Sequence, residues 1–168
     1  ITSIPRSSRQ GGPKMSPTVR YEKTELYEEF AEGDDAPFAL YQLLMLSASV
    51  GFKENERVTS PDPHDKPIKW ELFAGKKRVT AVIAALAYAD TQDEDVLLDV
   101  DAQIESLQAY AAGGARLLAE EVLEQDGNNL ENLIGYIKDN RQQKKMTEQV
   151  GILEDIENDI GSIPARQD

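Results

Sequence analysis

The stretch 99–125 constrains the fold of this chain more than any other. Its apolar residues recur every three or four positions, as they do on one face of a helix: Ile104, Leu107, Tyr110, Ala111, Leu117, Leu118 and Val122. Gly113 and Gly114 lie in the middle of this stretch, between alanines. A glycine inside a helix costs about 1 kcal/mol relative to alanine, so a pair of them indicates a special packing need. The pattern therefore predicts one long helix whose backbone a second helix approaches closely at Gly113 and Gly114.

Four further segments have the apolar spacing of helices: 21–32, 36–50, 79–89 and 130–143. Together with 99–125 they predict a mainly α fold, a compact helical domain of about five helices over residues 19–145. The residues expected to face its core are Leu26, Tyr27, Phe30, Val82, Ile83, Leu86, Leu133, Ile134 and Ile137. Segment 36–50 is apolar on nearly every side, so we expect it to be the most buried helix and to cross Gly113 and Gly114.

Proline and glycine mark the expected ends of segment 36–50. Pro37 has no backbone N–H to leave unsatisfied, so we expect it in the first turn of this helix. Gly51 and Phe52 follow the segment and predict a helix stop. In that stop, Gly51 adopts the left-handed conformation and Phe52 folds back onto the helix.

A short β-hairpin near residues 57–73 is the one strand structure that the sequence suggests. Residues 68–73 alternate apolar and polar side chains, which is the period of a strand. A single strand needs a partner, and Val58 and Thr59 are the nearest residues that favour one. We therefore expect these two residues to pair with the start of 68–73.

The two ends of the chain have less regular patterns than its middle. Residues 1–18 are rich in Ser, Pro, Gly and Arg, which predicts a disordered arm or a non-native remnant ahead of Met15. The alternative is a basic arm that binds nucleic acid or a partner. Residues 146–168 mix acids with isoleucines, so we expect an acidic tail that either docks as a short helix or stays loose.

Charge is the strongest signal in the composition. Among 168 residues, 31 acids and 18 bases give a net charge of −13. Such a surface repels phosphate backbones and anionic membranes, so broad nucleic-acid binding is disfavoured. It is typical both of salt-adapted (halophilic) proteins and of ordinary soluble ones, and the sequence leaves that choice open. The absence of cysteine and of a long apolar run predicts a cytoplasmic protein without disulfides or membrane spans.

The sequence supplies no recognisable catalytic, cofactor or metal site. It has no cysteine, and its one histidine, His64, lies in a proline-rich loop, which argues against hydrolytic triads. The acidic segment 93–101 has carboxylates that suit a divalent cation, but it lacks the mid-loop glycine and closing glutamate of a calcium loop. We therefore expect a solvated acidic segment and a protein that is not an enzyme.

Lys76, Lys77 and Arg78 form the one compact basic cluster of the predicted helical domain, and Trp70 and Phe73 precede it. An aromatic ring beside bases can contact nucleic acid through stacking and phosphate binding. The alternative is that the rings belong to the core and the bases to a solvated turn, and the acidic surroundings favour this alternative. The cluster is therefore a candidate nucleic-acid contact made of Lys76, Lys77, Arg78 and Trp70.

Several segments together resemble one known family. They are, in order, 25–30 (ELYEEF), 38–41 (FALY), 51–53 (GFK), 67–73 (PIKWELF), 83–87 (IAALA), 110–114 (YAAGG) and 117–118 (LL). This succession, over residues 18–124, is similar to the small dnd system-associated proteins of the family numbered four, encoded beside genes for DNA phosphorothioation. In such systems a sulfur replaces a non-bridging oxygen of the DNA backbone, and partner proteins restrict unmodified invader DNA.

The resemblance implies a prokaryotic accessory or adaptor protein of an antiviral modification and restriction system. Its expected partners are protein components of the phosphorothioation modification or restriction complex. The resemblance supplies no catalytic residue and no cofactor. The alternative is a DNA-contacting module of the same system that uses residues 76–78, although the net charge disfavours DNA. The oligomeric state stays open.

Overall fold

A computed structural model of the chain describes residues 15–63 and 66–143. These residues form a two-stranded antiparallel sheet and six α-helices, which confirms the mainly α prediction. The strands are β1 (Thr18–Val19) and β2 (Ile68–Lys69). The helices are α1 (Glu25–Ala31), α2 (Leu40–Lys53), α3 (Glu71–Ala74), α4 (Lys77–Thr91), α5 (Val100–Leu118) and α6 (residues 129–143). A 3-10 helix (Glu94–Leu98) precedes α5, and a π-helical turn (Ala119–Leu123) follows it.

The chain divides by its internal contacts into two compact units, Ile1–Ala115 and Arg116–Asp168. The predictions for the arm ahead of Met15, for His64 and for the acidic tail 146–168 concern residues outside the described ranges.

The connection between α1 and α2 is longer than predicted. Helix α2 begins at Leu40, so Pro37 lies ahead of the helix and not in its first turn. The reason is that the Phe38 N–H donates to the Phe30 carbonyl (3.0 Å), which holds this connection against the end of α1. The side chain of Gln42 then accepts a hydrogen bond from the backbone of the residue that precedes α2 (3.0 Å).

The prediction that Gly51 ends the second helix is wrong. Helix α2 continues to Lys53, and the left-handed residue beyond it is Asn55 (φ 57°). Asparagine tolerates this conformation because its short polar side chain can bond locally. Phe52 is 43% exposed, and its ring packs edge-to-face with the ring of Tyr110, with 5.4 Å between the centroids.

The predicted short strand is present as β2, but its partner is β1. Val19 pairs with Ile68 in antiparallel register, so the predicted pairing with Val58 and Thr59 is wrong. Val58 is engaged elsewhere, because its N–H donates to the Ala109 carbonyl of α5 (3.0 Å). The chain becomes helical again immediately after β2, in α3.

Helix α4 packs one side into the core of the first unit. Ile83, Leu86 and Ala87 are buried, as their spacing predicts. Val82 is 49% exposed, so its predicted inward orientation is wrong. Val82 lies about 100° from Ile83 and about 140° from Ala87 around the helix, which places it at the margin of the buried side.

Hydrogen bonds between side chains and backbone groups fix the acidic segment ahead of α5. The carboxylate of Asp93 accepts a hydrogen bond from the Asp95 N–H (3.0 Å) at the start of the 3-10 helix. The side-chain amide of Gln103 donates to the carbonyls of Val96 (2.9 Å) and Leu97 (3.1 Å), which joins this segment to α5.

The buried apolar residues of α5 within the first unit are Ile104, Leu107, Ala109, Tyr110, Ala111, Ala112 and Ala115.

The described part of the second unit, residues 116–143, has its own buried residues: Leu118, Val122 and Leu133. The side-chain amide of Asn132 donates to the Val122 carbonyl (3.2 Å). Ile134 is 41% exposed, so its predicted inward orientation is wrong.

Candidate functional site

Helices α2 and α5 cross with direct backbone contact between Gly51 and Gly114. A Cβ atom at Gly114 would lie 2.6 Å from the Ser47 carbonyl carbon and 2.7 Å from the Gly51 nitrogen. A Cβ atom at Gly51 would collide with the Tyr110 carbonyl oxygen and lie 2.9 Å from the Gly114 nitrogen. Neither position has room for a side chain, which is the close helix packing that a mid-helix glycine allows. The sequence pattern around Gly51 predicted a helix stop, but Gly51 is half of this helix crossing.

Gly113 faces a loop and not a helix. A Cβ atom there would collide with the carbonyl oxygen of Glu56, in the loop after α2, and lie 2.6 Å from its carbonyl carbon. The two glycines therefore serve adjacent contacts of α5, and both contacts are structural.

Asp90 connects the inner side of α4 to α5 and to the loop after α2. Its carboxylate accepts hydrogen bonds from the hydroxyl groups of Ser106 (2.8 Å) and Tyr110 (3.0 Å) and from Arg57 Nε (3.1 Å). Burial raises the pKa of the Asp90 carboxyl, but these three hydrogen bonds and the Arg57 charge outweigh burial and hold the pKa below its ordinary value. A carboxylate that accepts three donors acts as a structural acceptor and is poorly placed to take a proton from a substrate.

The sequence offered no signal for the Asp90 cluster. Asp90 lies at the edge of a strongly acidic stretch, and Arg57 and Tyr110 are far from it along the chain. Only the packing of α4 against α5 brings them together.

Three lysines meet in a cleft of the first unit, which we call the basic cleft. Its volume is about 750 Å³, and its main lining residues are Tyr21, Glu32, Tyr41, Lys66, Lys69, Leu72 and Lys76. The Lys76 ammonium donates to the Leu72 carbonyl (2.9 Å) and lies 4.8 Å from the centroid of the Tyr41 ring. The Tyr21 hydroxyl donates to the Glu32 carboxylate (3.2 Å), and burial, followed by the Glu32 charge, raises the pKa of Tyr21 to about 12.

The structure separates the four residues of the candidate nucleic-acid contact. Lys76 lines the basic cleft, whereas Lys77 and Arg78 are exposed in the first turn of α4. The ring of Trp70 stacks on the buried ring of Phe73, with 5.7 Å between the centroids and 21° between the planes. Trp70 therefore packs at the edge of the core.

Lys66 and Lys69 are the cleft residues that sequence reasoning missed. A signal was present, because residues 66–78 contain five bases and one acid, a local charge of +4 in a chain of −13. Proximity along the chain favoured the cluster 76–78, but the strand β2 and helix α3 fold the earlier lysines back beside Lys76.

A second surface lies on the side of α4 that faces away from the core. It consists of Ala81, Val82, Ala85, Tyr88 and Ala89, all exposed, and we call it the outer face of α4. These residues recur at helical spacing, so they lie side by side. Helix α4 is therefore apolar on its buried side and on much of its exposed side.

The acids of the described residues do not gather around one point. Within residues 15–63 and 66–143, no group of three or more His, Asp or Glu side chains is arranged to hold a metal ion. Among the helices of that same part of the chain, none combines the length and apolar character needed to cross a membrane.

Comparison with known proteins identifies a family. A family model described as DNA sulphur modification system-associated protein 4 matches residues 18–156. No curated protein and no solved structure matches the chain. The matched region contains both compact units in part, and it extends past residue 124, where the resemblance in the sequence ended.

Proposed function

The chain belongs to the DNA sulphur modification system-associated protein 4 family, and from this premise we propose that it is a non-enzymatic accessory protein of such a system. It acts by binding another protein of the modification or restriction complex, in the cytoplasm of a prokaryote. Through that partner it contributes to the restriction of invading DNA that lacks the sulfur modification.

The outer face of α4 is the observation that carries this proposal. Val82 is 49% exposed and Tyr88 is 38% exposed, and three alanines lie between and beside them. Helices of monomeric proteins usually expose a polar face, and contiguous exposed apolar surface is typical of protein interaction sites. A partner protein that covers this face would give α4 the buried surroundings that its composition suits.

The available side chains also favour binding over catalysis. The sequence contains no cysteine and a single histidine, His64, so it offers few nucleophile–base pairs of the usual kind. The Asp90 carboxylate already accepts hydrogen bonds from three groups of the protein itself.

Capture of the partner from the host tests the proposal. The tagged full chain is expected to retain a modification or restriction protein of the same system, identified by mass spectrometry. The variant Val82→Glu places a charge in the outer face of α4 and is expected to reduce capture at least about tenfold. Failure of the parent protein to retain any protein of the system would contradict the proposed role.

Ser60→Glu is the matched control for Val82→Glu. It adds the same charge at an exposed position in a loop outside α4, so capture should stay at the parent level. Because Val82 is exposed, both variants should keep the parent unfolding temperature, which separates lost binding from lost folding.

A second candidate function is DNA contact through Lys76, Lys77 and Arg78. The exposure of Lys77 and Arg78 favours it. The packing of Trp70 on Phe73 and the overall charge of −13 count against it.

A further inference from the structure

We propose that the basic cleft binds a short acidic and apolar peptide segment of the partner protein, an inference that rests on the proposed protein-binding role. Three lysines, Lys66, Lys69 and Lys76, and one acid, Glu32, line the cleft. That carboxylate already accepts the Tyr21 hydroxyl. A segment with carboxylate side chains complements this excess of positive charge.

The Lys69 charge lowers the pKa of the Glu71 carboxyl, but the hydrogen bonds of this carboxylate are made with other groups. The pKa of the Glu71 carboxyl is held below its ordinary value first by its own backbone N–H, next by the Ser16 hydroxyl, and to a lesser degree by Lys69. The Glu71 carboxylate therefore neutralises the basic cleft only in part.

The start of α4 adds positive potential beside the cleft. A helix N-terminus carries a partial positive charge, and acidic residues in the first turn normally offset it. The first turn of α4 contains Lys77 and Arg78 and no acid, and no side chain of the described residues caps it at Lys76. A carboxylate bound next to Lys76 would supply the missing negative charge.

The cleft also has an apolar wall. Leu72 is 53% exposed, although it is a large aliphatic residue, and Tyr41 lies half-buried beside Lys76. A volume of about 750 Å³ lies in the range of pockets that enclose a ligand. A leucine or similar side chain between the acids of a peptide would bury Leu72, and this favours an acidic segment that also contains aliphatic residues.

Nucleic acid fits the cleft less well than such a peptide. Single-stranded nucleic acid needs open aromatic faces on which its bases stack. Here Lys76 covers the Tyr41 ring, and Phe73 covers one face of Trp70. The residues outside 66–78 carry a net charge of −17, since the chain has −13 and this segment +4, and this charge repels a long phosphate backbone more than a short peptide.

Fluorescence anisotropy with the full chain tests the inference. The probes are labelled peptides that contain glutamates and leucines in every order. Their length is about eight residues, because extended segments of this length are typical of peptide recognition. The same peptides with glutamine in place of glutamate, and single- and double-stranded oligonucleotides, complete the set. A subset of the acidic peptides is expected to bind, with an affinity that falls as the salt concentration rises. The glutamine peptides are expected not to bind.

Charge reversal in the cleft is expected to remove this binding. The double variant Lys69→Glu with Lys76→Glu should weaken the best peptide at least about tenfold. Lys138→Glu is the matched control, because it reverses the charge of an exposed lysine of α6 that is not among the residues lining the cleft, and its effect should stay within about twofold. If the double variant does not fold, Lys69→Gln alone should still weaken binding measurably.

Four results would overturn the inference: no binding by any acidic peptide, equal binding by the glutamine peptides, unchanged affinity in the cleft variants, or binding of DNA alone. Partner capture by the same protein preparation distinguishes this failure from failure of the proposed function. If the partner is captured and no peptide binds, the cleft inference is wrong and the accessory role stands. If peptides bind and no protein of the system is captured, the accessory role is wrong.

Discussion

The outer face of α4 and the face of α5 around Gly113 and Gly114 are both made largely of small apolar residues, yet one is exposed and the other buried. On α5, the backbone of α2 lies so close that a single added carbon at Gly114 would collide with it. On α4, Ala81, Ala85 and Ala89 are exposed together with Val82. Both faces are rich in small apolar residues, and they differ in what covers them.

A run of small residues on a helix therefore predicts a packing face, but it does not predict which segment or which protein packs against that face. The α5 face is covered because α2 presents a matching glycine, Gly51, at the same level. The α4 face has larger neighbours, Val82 and Tyr88, which prevent a backbone contact of that kind and suit side-chain packing against another protein.

The largest expected effect is the loss of stability in Gly114→Leu. The new side chain must displace the Ser47 carbonyl group and the Gly51 nitrogen, which are helix backbone atoms that cannot move independently. We expect the free energy of unfolding in denaturant to fall by about 3 kcal/mol or more. Gly135→Ala is the control, since a Cβ atom at that position in α6 would meet nothing within 4 Å beyond its chain neighbours and the backbone of its own helix, and it should stabilise by up to about 1 kcal/mol. If Gly114→Leu and the parent had the same unfolding midpoint in denaturant, α2 could not cross α5 at Gly114.

The two sides of α4 are compared directly by Ile83→Ala and Val82→Ala. Ile83 is fully buried, so its truncation leaves a cavity and should lower the free energy of unfolding by about 2–4 kcal/mol. Val82 is 49% exposed in the isolated chain, and its truncation should change that free energy by less than about 0.5 kcal/mol. If thermal or chemical unfolding gave similar losses for both variants, the outer face of α4 would already be covered in solution, for instance by a second copy of the chain.

A smaller, pH-dependent effect is expected at Asp90, which joins the inner side of α4 to α5. Asp90→Asn removes the charge to which Ser106, Tyr110 and Arg57 donate hydrogen bonds. It should cost about 1–2 kcal/mol at neutral pH, because solvent screens the partly exposed Arg57. Since the folded-state pKa of Asp90 is lowered, its contribution is present above the ordinary aspartate value of about 4 and is lost as pH falls through the lower folded value.

Denaturant unfolding at neutral and acidic pH measures this dependence. The gap between parent and Asp90→Asn should close in acid, whereas Glu105→Gln, an exposed change on α5, should stay within about 0.5 kcal/mol of the parent throughout. A gap that widens in acid would mean that the Asp90 carboxyl is protonated at neutral pH.

Much of the fold could be predicted because helices are marked by local spacing. Leu26, Tyr27 and Phe30 face the core as expected, and so do Ile83 and Leu86. One error occurs where a residue type has two uses. Gly51 was assigned the turn-forming role of glycine, but its lack of a side chain serves a helix contact.

The candidate site was less predictable than the fold. Lys76, Lys77 and Arg78 were grouped because they are consecutive, but consecutive residues of a helix start point in different directions. The lysines that join Lys76 in the basic cleft come from β2 and the residues just before it, and no spacing rule brings such residues together.

The sequence by itself determined the helical class, the acidic surface and the need for a close contact at Gly113 and Gly114. These properties depend on neighbours along the chain and on the size and charge of single side chains, which a sequence states directly. Only the tertiary structure decided that Gly51 faces Gly114, that Val19 is the partner of Ile68, and that one side of α4 is left exposed. These outcomes depend on which distant segments pack together, and this depends on how the apolar surface of the whole chain is buried.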